Sequence, residues 1–184
     1  MFGPHLDCGL DRLGHHITLR PPMIKEAPYH REWIGDPAVN KYLARRGRPT
    51  LAQERAWLRK SRDDQEEYLW SIWADTVLIG NASLRLNPTL KTGVTGIIIG
   101  DQRYWGHGVA SCVFARRARF AFTEADCVAL FTEAFAANRG SWRAAEMIGF
   151  VRYGEKPFAD LIDGAYATMY QACLTRERWL ELNA

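Results

Sequence analysis

Residues 97–111 read IIIGDQRYWGHGVAS, so that a short β-branched run comes directly before two closely spaced glycines. A helical pattern follows at once and continues to about Phe122. This stretch predicts a strand, a tight turn and the N-terminus of a helix. Such a turn presents unpaired backbone N–H groups at the positive end of a helix dipole, where a phosphate is a common ligand. Glycines at 106 and 108 let the backbone approach that ligand closely.

Two familiar nucleotide-binding motifs do not fit this turn. The dinucleotide fingerprint has a third glycine three residues after the second, and Ser111 occupies that place. No Gly-Lys-Ser or Gly-Lys-Thr follows, which excludes a P-loop. A nucleotide-binding oxidoreductase is further disfavoured because the sequence offers no matching βαβ unit.

Two segments together resemble the GCN5-related N-acetyltransferases. Residues 105–110, WGHGVA, are similar to the family's pyrophosphate-binding motif Q/R-x-x-G-x-G/A. Trp105 replaces the commoner Gln or Arg, a version seen in the branch with ribosomal-protein alanine and spermidine acetyltransferases. Residues 138–150 resemble the family's Asn-x-x-Ser/Ala…Gly-Phe element, about 30 residues further on. The resemblance extends over about residues 16–181.

The resemblance implies an α+β (mixed α/β) fold. Its sheet would be mostly antiparallel with roughly six to seven strands and about four flanking helices. The fourth and fifth strands of the family, here ending near Ile99 and Ala136, would splay apart. Thr50 and Gln53 form a capping-box pattern that predicts a helix over residues 51–63. We expect one acyltransferase domain over residues 15–184 and, because residues 1–14 lack periodicity, a loose N-terminal arm.

The resemblance also implies acetyl-CoA as co-substrate, held in the gap between the splayed strands, and no metal. The pyrophosphate would contact the glycine turn and the helix start, and the pantetheine arm would bond to the end of the fourth strand. The isoleucine side chains of that strand also suit core packing, and Asn138 could cap a turn instead of contacting the cofactor. The implied cofactor-binding residues are Ile98, Ile99, Trp105, Gly106, His107, Gly108, Val109, Ala110, Ser111 and Asn138.

Acyl transfer to an amine requires a base, hydrogen-bond donors for the thioester oxygen, and an acid for the leaving thiolate. Many family members supply the acid as a tyrosine, and Ala145 occupies that position here. Ser141 is the substitute we predict, although it could simply cap a helix. Glu133 is our candidate base and Asp101 an alternative, since charged residues on half-buried strands also serve in ion pairs. Histidine rings can act as bases near neutral pH, but the backbone of His107 is expected to matter more than its ring.

Four aromatic residues could line the acceptor pocket or belong to the core: Trp33, Tyr42, Trp142 and Tyr166. The sequence thus predicts an N-acetyltransferase in which a primary amine, on a protein N-terminus or a small molecule, attacks the thioester directly. The alternative is a non-catalytic acyl-CoA sensor or docking module of the same fold. The sequence is compatible with acetyl or a larger acyl group, and with a homodimer.

Composition narrows the setting of this activity. The chain is 47% hydrophobic and 24% charged with a formal net charge of +3, without the dense basic stripe of a nucleic-acid domain. It shows no signal peptide and no long apolar run, so we expect a cytoplasmic protein that does not contact the membrane. Two basic groups predict solvated faces, and the second could border an anionic cofactor: Arg45, Arg46 and Arg48, then Arg116, Arg117 and Arg119.

Overall fold

The computed structural model describes residues 1–43 and 47–184. Arg45 and Arg46, from the first predicted basic group, lie outside these residues. Two short 3-10 turns cover Ile24–Glu26 and Gln102–Tyr104. The strands are β1 (Leu6–Leu10), β2 (His16–Arg20), β3 (Glu67–Ala74), β4 (Val77–Asn87), β5 (Thr92–Ile99), β6 (Ala129–Phe135), β7 (Val151–Ile162) and β8 (Ala165–Thr175). The helices are α1 (Ala27–Gly35), α2 (Pro37–Asn40), α3 (Leu51–Asp63), α4 (Val109–Thr123), α5 (Arg139–Glu146) and α6 (Arg176–Leu182).

All of these strands join one sheet in the order β1-β2-β3-β4-β5-β6-β8-β7. Only the β5–β6 pair is parallel within the part of the chain that the structure describes, and the other neighbours are antiparallel. The mixed, mostly antiparallel fold is therefore confirmed. The described residues form eight strands and six helices, more than the six to seven strands and about four helices predicted.

The N-terminal segment is the main correction to the predicted fold. Instead of a loose arm, Leu6–Leu10 forms an edge strand in which Leu6 pairs with Leu19 and Leu10 pairs with His16. The indole Nε1 of Trp70 donates to the carbonyl of Pro4 at 2.9 Å, which fixes the chain before the strand. A register shift between Asp7 and Gly9 disrupts the alternation of side chains, so the strand has no period-two signal in the sequence.

Local sequence signals do set several other elements. Helix α3 has the predicted bounds, and Thr50 and Gln53 form both bonds of the capping box. Asp163 and Gly164 turn the β7–β8 hairpin with positive φ angles of 52° and 80°. Strand β7 is continuous but has two register shifts against β8.

Helix α4 is held on the sheet by a buried arginine. The guanidinium of Arg117 is fully buried and donates to the backbone carbonyls of Ser83 on β4 and Gly96 on β5. Burial lowers the pKa of Arg117 to about 9. The second basic group is therefore not a uniformly solvated face, because Arg117 points inward while Arg119 is exposed. Among residues 1–43 and 47–184, no helix combines the length and apolar character needed to cross a membrane.

Candidate active site

The sheet opens between β5 and β6. These strands pair only where Thr92–Val94 faces Ala129–Phe131. From Thr95 onward β5 pairs with β4 alone, while β6 continues with β8 to Phe135. The predicted splay is thus present, and it leaves one backbone edge of β5 without a strand beside it. An extended ligand can form main-chain hydrogen bonds along such an edge.

Two glycines shape the end of β5. A Cβ at Gly80 would overlap the carbonyl oxygen of Ile98, so only glycine permits the close approach of β4 and β5 there. A Cβ at Gly100 would overlap the indole of Trp33. Trp33 is buried in a small apolar cluster that includes Ile98, and it therefore forms the wall behind the strand end.

The loop after β5 has the geometry expected of an anion cradle. Gly106 and Gly108 have φ angles of +81° and +91°, in the left-handed region that favours glycine. Gly108 is the N-cap of the 15-residue helix α4 and supplies no side-chain cap. The N–H groups of Val109, Ala110 and Ser111 therefore lack intrahelical acceptors and point out of the first turn. These donors, together with the helix dipole, fit the diphosphate of CoA.

Trp105 connects this loop to the strand before it. Its indole Nε1 donates to the carbonyl of Ile99 at 2.8 Å, while the ring is 42% exposed. The sequence predicted that the end of this strand bonds the pantetheine arm. Because a carbonyl oxygen has two lone pairs, the Trp105 bond leaves Ile99 one further acceptor site. The tryptophan therefore fixes the loop relative to the opening.

Asn138 and Ser141 lie together at the N-terminus of α5. Asn138 is the N-cap, and its Oδ1 accepts from the backbone N–H of Ser141 at 3.4 Å. Ser141 is the third helical residue rather than the cap, and among the described residues no group hydrogen-bonds its hydroxyl. Ala145 is 1% exposed within the main core, so the position of the usual tyrosine offers no proton donor.

Glu133 lies on β6 beside two donors. Its Oε1 accepts from Lys156 Nζ at 2.6 Å and from Gln171 Nε2 at 2.7 Å. Partial burial raises the pKa of Glu133, but these hydrogen bonds and the charge of Lys156 outweigh it, so the pKa lies below its usual value. Both bonds go to one oxygen, which leaves Oε2 as the atom with capacity to accept a proton.

Asp101 is more fully engaged than Glu133. It accepts from the backbone N–H of Arg103 at 3.1 Å and forms an ion pair with the same residue at 2.6 Å. The hydrogen bond from the Arg103 side chain is the main reason that the pKa of Asp101 is lowered. The carboxylate is occupied in capping the short turn of residues 102–104.

Two of the predicted aromatic residues meet at the end of β6. Trp142 is buried and donates to the carbonyl of Phe135 at 3.1 Å, and the ring of Tyr42 lies 6.2 Å from that of Phe135. Tyr166 is instead on the β7–β8 hairpin, 73% exposed and in edge contact with Phe158. The opening therefore gathers Trp33, Tyr42 and Trp142 around the strand ends but not Tyr166.

The N-terminal segment also contributes to the glycine loop, which no signal in the sequence indicated. The backbone N–H of Arg12 donates to the carbonyl of His107 at 2.8 Å, within the glycine loop. An arginine in a stretch without periodicity carries no signal of such a contact. In the described ranges, no group of three or more His, Cys, Asp or Glu side chains is arranged to hold a metal ion.

Comparisons with known proteins agree with this geometry. A family model described as an acetyltransferase (GNAT) domain matches residues 16–151. The chain therefore belongs to the GNAT acetyltransferases. Its enzyme class is acetyl-CoA-dependent acyltransferase, with acetyl-CoA as co-substrate. No curated protein sequence matches the chain.

Three solved structures illustrate the shared fold. A spermidine N-acetyltransferase from Vibrio cholerae, in complex with CoA and spermine, is 19% identical with a TM-score of 0.82, covering 89% of this chain and 98% of its own. A probable acetyltransferase is 22% identical with a TM-score of 0.80, covering 89% and 95%. A ribosomal L7/L12 α-N-protein acetyltransferase in complex with coenzyme A is 14% identical with a TM-score of 0.77, covering 86% and 93%.

Proposed function

We propose that this enzyme transfers an acetyl group from acetyl-CoA to a primary amine by direct attack of the amine on the thioester. The observation that carries the proposal is the divergence of β5 from β6 immediately beside the uncapped first turn of α4. The turn suits the diphosphate, and the free edge of β5 suits the amide-containing pantetheine arm. The thioester then lies at the mouth of the opening, between Ile98 and the N-terminus of α5.

The amine must be neutral to attack, since an alkylammonium group has a pKa near about 10. We assign proton removal to Glu133, acting through its Oε2 either directly or by way of a water molecule. The lowered pKa keeps this carboxylate ionised at neutral pH. The lowered pKa also makes Glu133 a weak base, so the reaction depends on amine that is already neutral in solution. The rate should therefore rise with pH as the free amine becomes available.

Ser141 is the group we assign to protonate the leaving thiolate. It lies at the N-terminus of α5, and its hydroxyl is not engaged by the described residues. The positive end of the helix dipole favours an anion at this position. A backbone N–H at Ile98 or Ile99 would stabilise the thioester oxygen as negative charge develops.

The acceptor is a polyamine-like small amine or a protein N-terminus. Of the similar structures, one is named as a spermidine acetyltransferase and another as an acetyltransferase of a protein α-amino group. Trp33, Tyr42 and Trp142 around the strand ends are the residues we propose for the acceptor pocket. Tyr166, exposed on the β7–β8 hairpin, is not included. The free state of the four cysteines supports a reducing, cytoplasmic setting.

The test is CoA-thiol release from acetyl-CoA over a panel of amines that includes polyamines and short peptides with free N-termini. Acceptor-dependent release is expected for one class. Ser141→Ala and Glu133→Gln should lower kcat/KM roughly 100-fold, the scale of general acid–base catalysis. Glu177→Gln, on the exposed start of α6, is the control and should behave as wild type. Tight CoA binding without thiol release for any amine would instead support the sensor or docking module.

A further inference from the structure

The N-terminal segment adds a wall to the glycine loop. Residues 11–15 form a tight turn in which Oδ1 of Asp11 accepts from the backbone N–H groups of Leu13 and His15, each at 2.9 Å. The ring of His15 packs edge-on against the ring of Tyr104, just before the loop, with ring centroids 5.3 Å apart. The backbone bond from Arg12 to His107 is a second anchor. The turn is therefore fixed at both ends against the segment that leads into α4.

The side chain of Arg12 then crosses the first turn of α4. A Cβ built on Gly108 would lie 3.3 Å from Cγ and 3.5 Å from Nε of Arg12, so the arginine lies directly on the N-cap residue. Its Nη2 reaches the sulfur of Met147, just beyond α5, at 3.8 Å. The Ser111 hydroxyl points to the same sulfur at 3.6 Å. The guanidinium thus spans the surface above the free N–H donors of the helix.

The charge of this guanidinium is not compensated within the protein. Across residues 1–43 and 47–184, no carboxylate lies within ion-pair distance of Arg12. The carboxylate of the neighbouring residue, Asp11, pairs with His15 at 3.0 Å instead. A thioether sulfur is only a weak acceptor. An arginine held by its backbone, with weakly satisfied donors over an anion cradle, is arranged to bind a phosphate.

We propose that Arg12 is a cofactor-binding residue that contacts the diphosphate of acetyl-CoA, so that the N-terminal segment completes a site otherwise built from main-chain donors. The loop supplies partial charges and Arg12 supplies a full one. The proposal rests on CoA binding to the glycine loop and not on which amine is acetylated.

The test is calorimetric titration of wild type, Arg12→Ala and Arg12→Lys with CoA, dephospho-CoA and pantetheine. Arg12→Ala should weaken binding of CoA and of dephospho-CoA about 10-fold, the scale of one charge-assisted hydrogen bond. Arg12→Lys should recover part of the affinity, and pantetheine, which has no diphosphate, should bind all three proteins equally. The difference between wild type and Arg12→Ala should shrink as salt is raised. Arg59→Ala, an exposed arginine on α3, is the matched control and should bind CoA as wild type does.

Equal CoA affinity of wild type and Arg12→Ala would overturn the proposal, and tighter binding by Arg12→Ala would show that the arginine obstructs the site. A loss seen with CoA but absent with dephospho-CoA would overturn the assignment to the diphosphate, since only the 3′-phosphate distinguishes the two ligands. If wild type itself fails to bind CoA, the cofactor site fails together with the role of Arg12. Thermal unfolding of Arg12→Ala at the wild-type temperature excludes misfolding as the cause of any loss.

Discussion

A buried histidine behind the opening should make the enzyme sensitive to acid. His30 on α1 is fully buried, and neither of its ring nitrogens has a hydrogen-bond partner among the described residues. It stacks on Trp33 with ring centroids 5.5 Å apart, and Trp33 in turn covers Gly100 at the end of β5. Burial lowers the pKa of His30 from 6.5 to about 4, because the charged imidazolium would lose its hydration.

The sign of the effect follows from where the proton binds. Below about pH 6.5 the unfolded chain protonates His30, whereas the folded protein does so only near pH 4. The free energy of unfolding therefore falls as the pH falls through this interval. With this pKa difference, the loss is about 2 kcal/mol between pH 7 and pH 5 and about 3 kcal/mol by pH 4.

Urea denaturation at a series of pH values measures this contribution. His30→Leu removes the titrating group while keeping a similar volume. Between pH 7 and pH 5, its free energy of unfolding should therefore fall by about 2 kcal/mol less than that of wild type. His5→Gln changes an exposed histidine and should retain the wild-type pH dependence. Parallel curves for wild type and His30→Leu would refute the reasoning, because they would mean that His30 is protonated equally in the folded and unfolded states.

Three further predictions concern the loop, the strand end and the thiols. Trp105→Phe removes the bond to the end of β5 and should weaken CoA binding about fivefold by calorimetry, consistent with one net hydrogen bond; unchanged affinity would show that the bond does not position the loop. Gly80→Ala places a methyl against the backbone of Ile98 and should lower the free energy of unfolding by about 3 kcal/mol. Gly140→Ala, in open space on α5, should be neutral or stabilising, and equal losses in the two variants would contradict the close-approach argument. Burial raises the pKa of all four cysteine thiols, that of Cys8 to about 12. Iodoacetamide should therefore modify the native protein slowly near neutral pH. Rapid labelling of Cys8, detected by mass spectrometry, would contradict its burial.

Local signals account for the parts of the fold that the sequence predicted. The capping box at Thr50 sets the start of α3, and the two glycines mark the turn before α4, because these features depend only on neighbouring residues. The burial of Arg117 was not predicted, although it lies three and four residues after Phe114 and Val113 on the inward face of α4. Its positive charge hid that periodicity.

Contacts between segments that are far apart in sequence could not be predicted in the same way. Glu133 is paired with Lys156 and Gln171, and these neighbours depend on the register of β6 with β8 and of β8 with β7. That register includes two irregularities in β7, which no local pattern announces. Arg12 reaches the glycine loop only because β1 forms beside β2, and the bulge in β1 hides that strand.

The central claim is that CoA lies in the opening between β5 and β6 with its diphosphate on the first turn of α4. A crystal structure of the enzyme with CoA tests it most directly. We predict diphosphate oxygens within hydrogen-bond distance of the N–H groups of residues 109–111, and pantetheine along the free edge of β5. Density for CoA at another surface, with the first turn of α4 contacting no phosphate, would contradict the account.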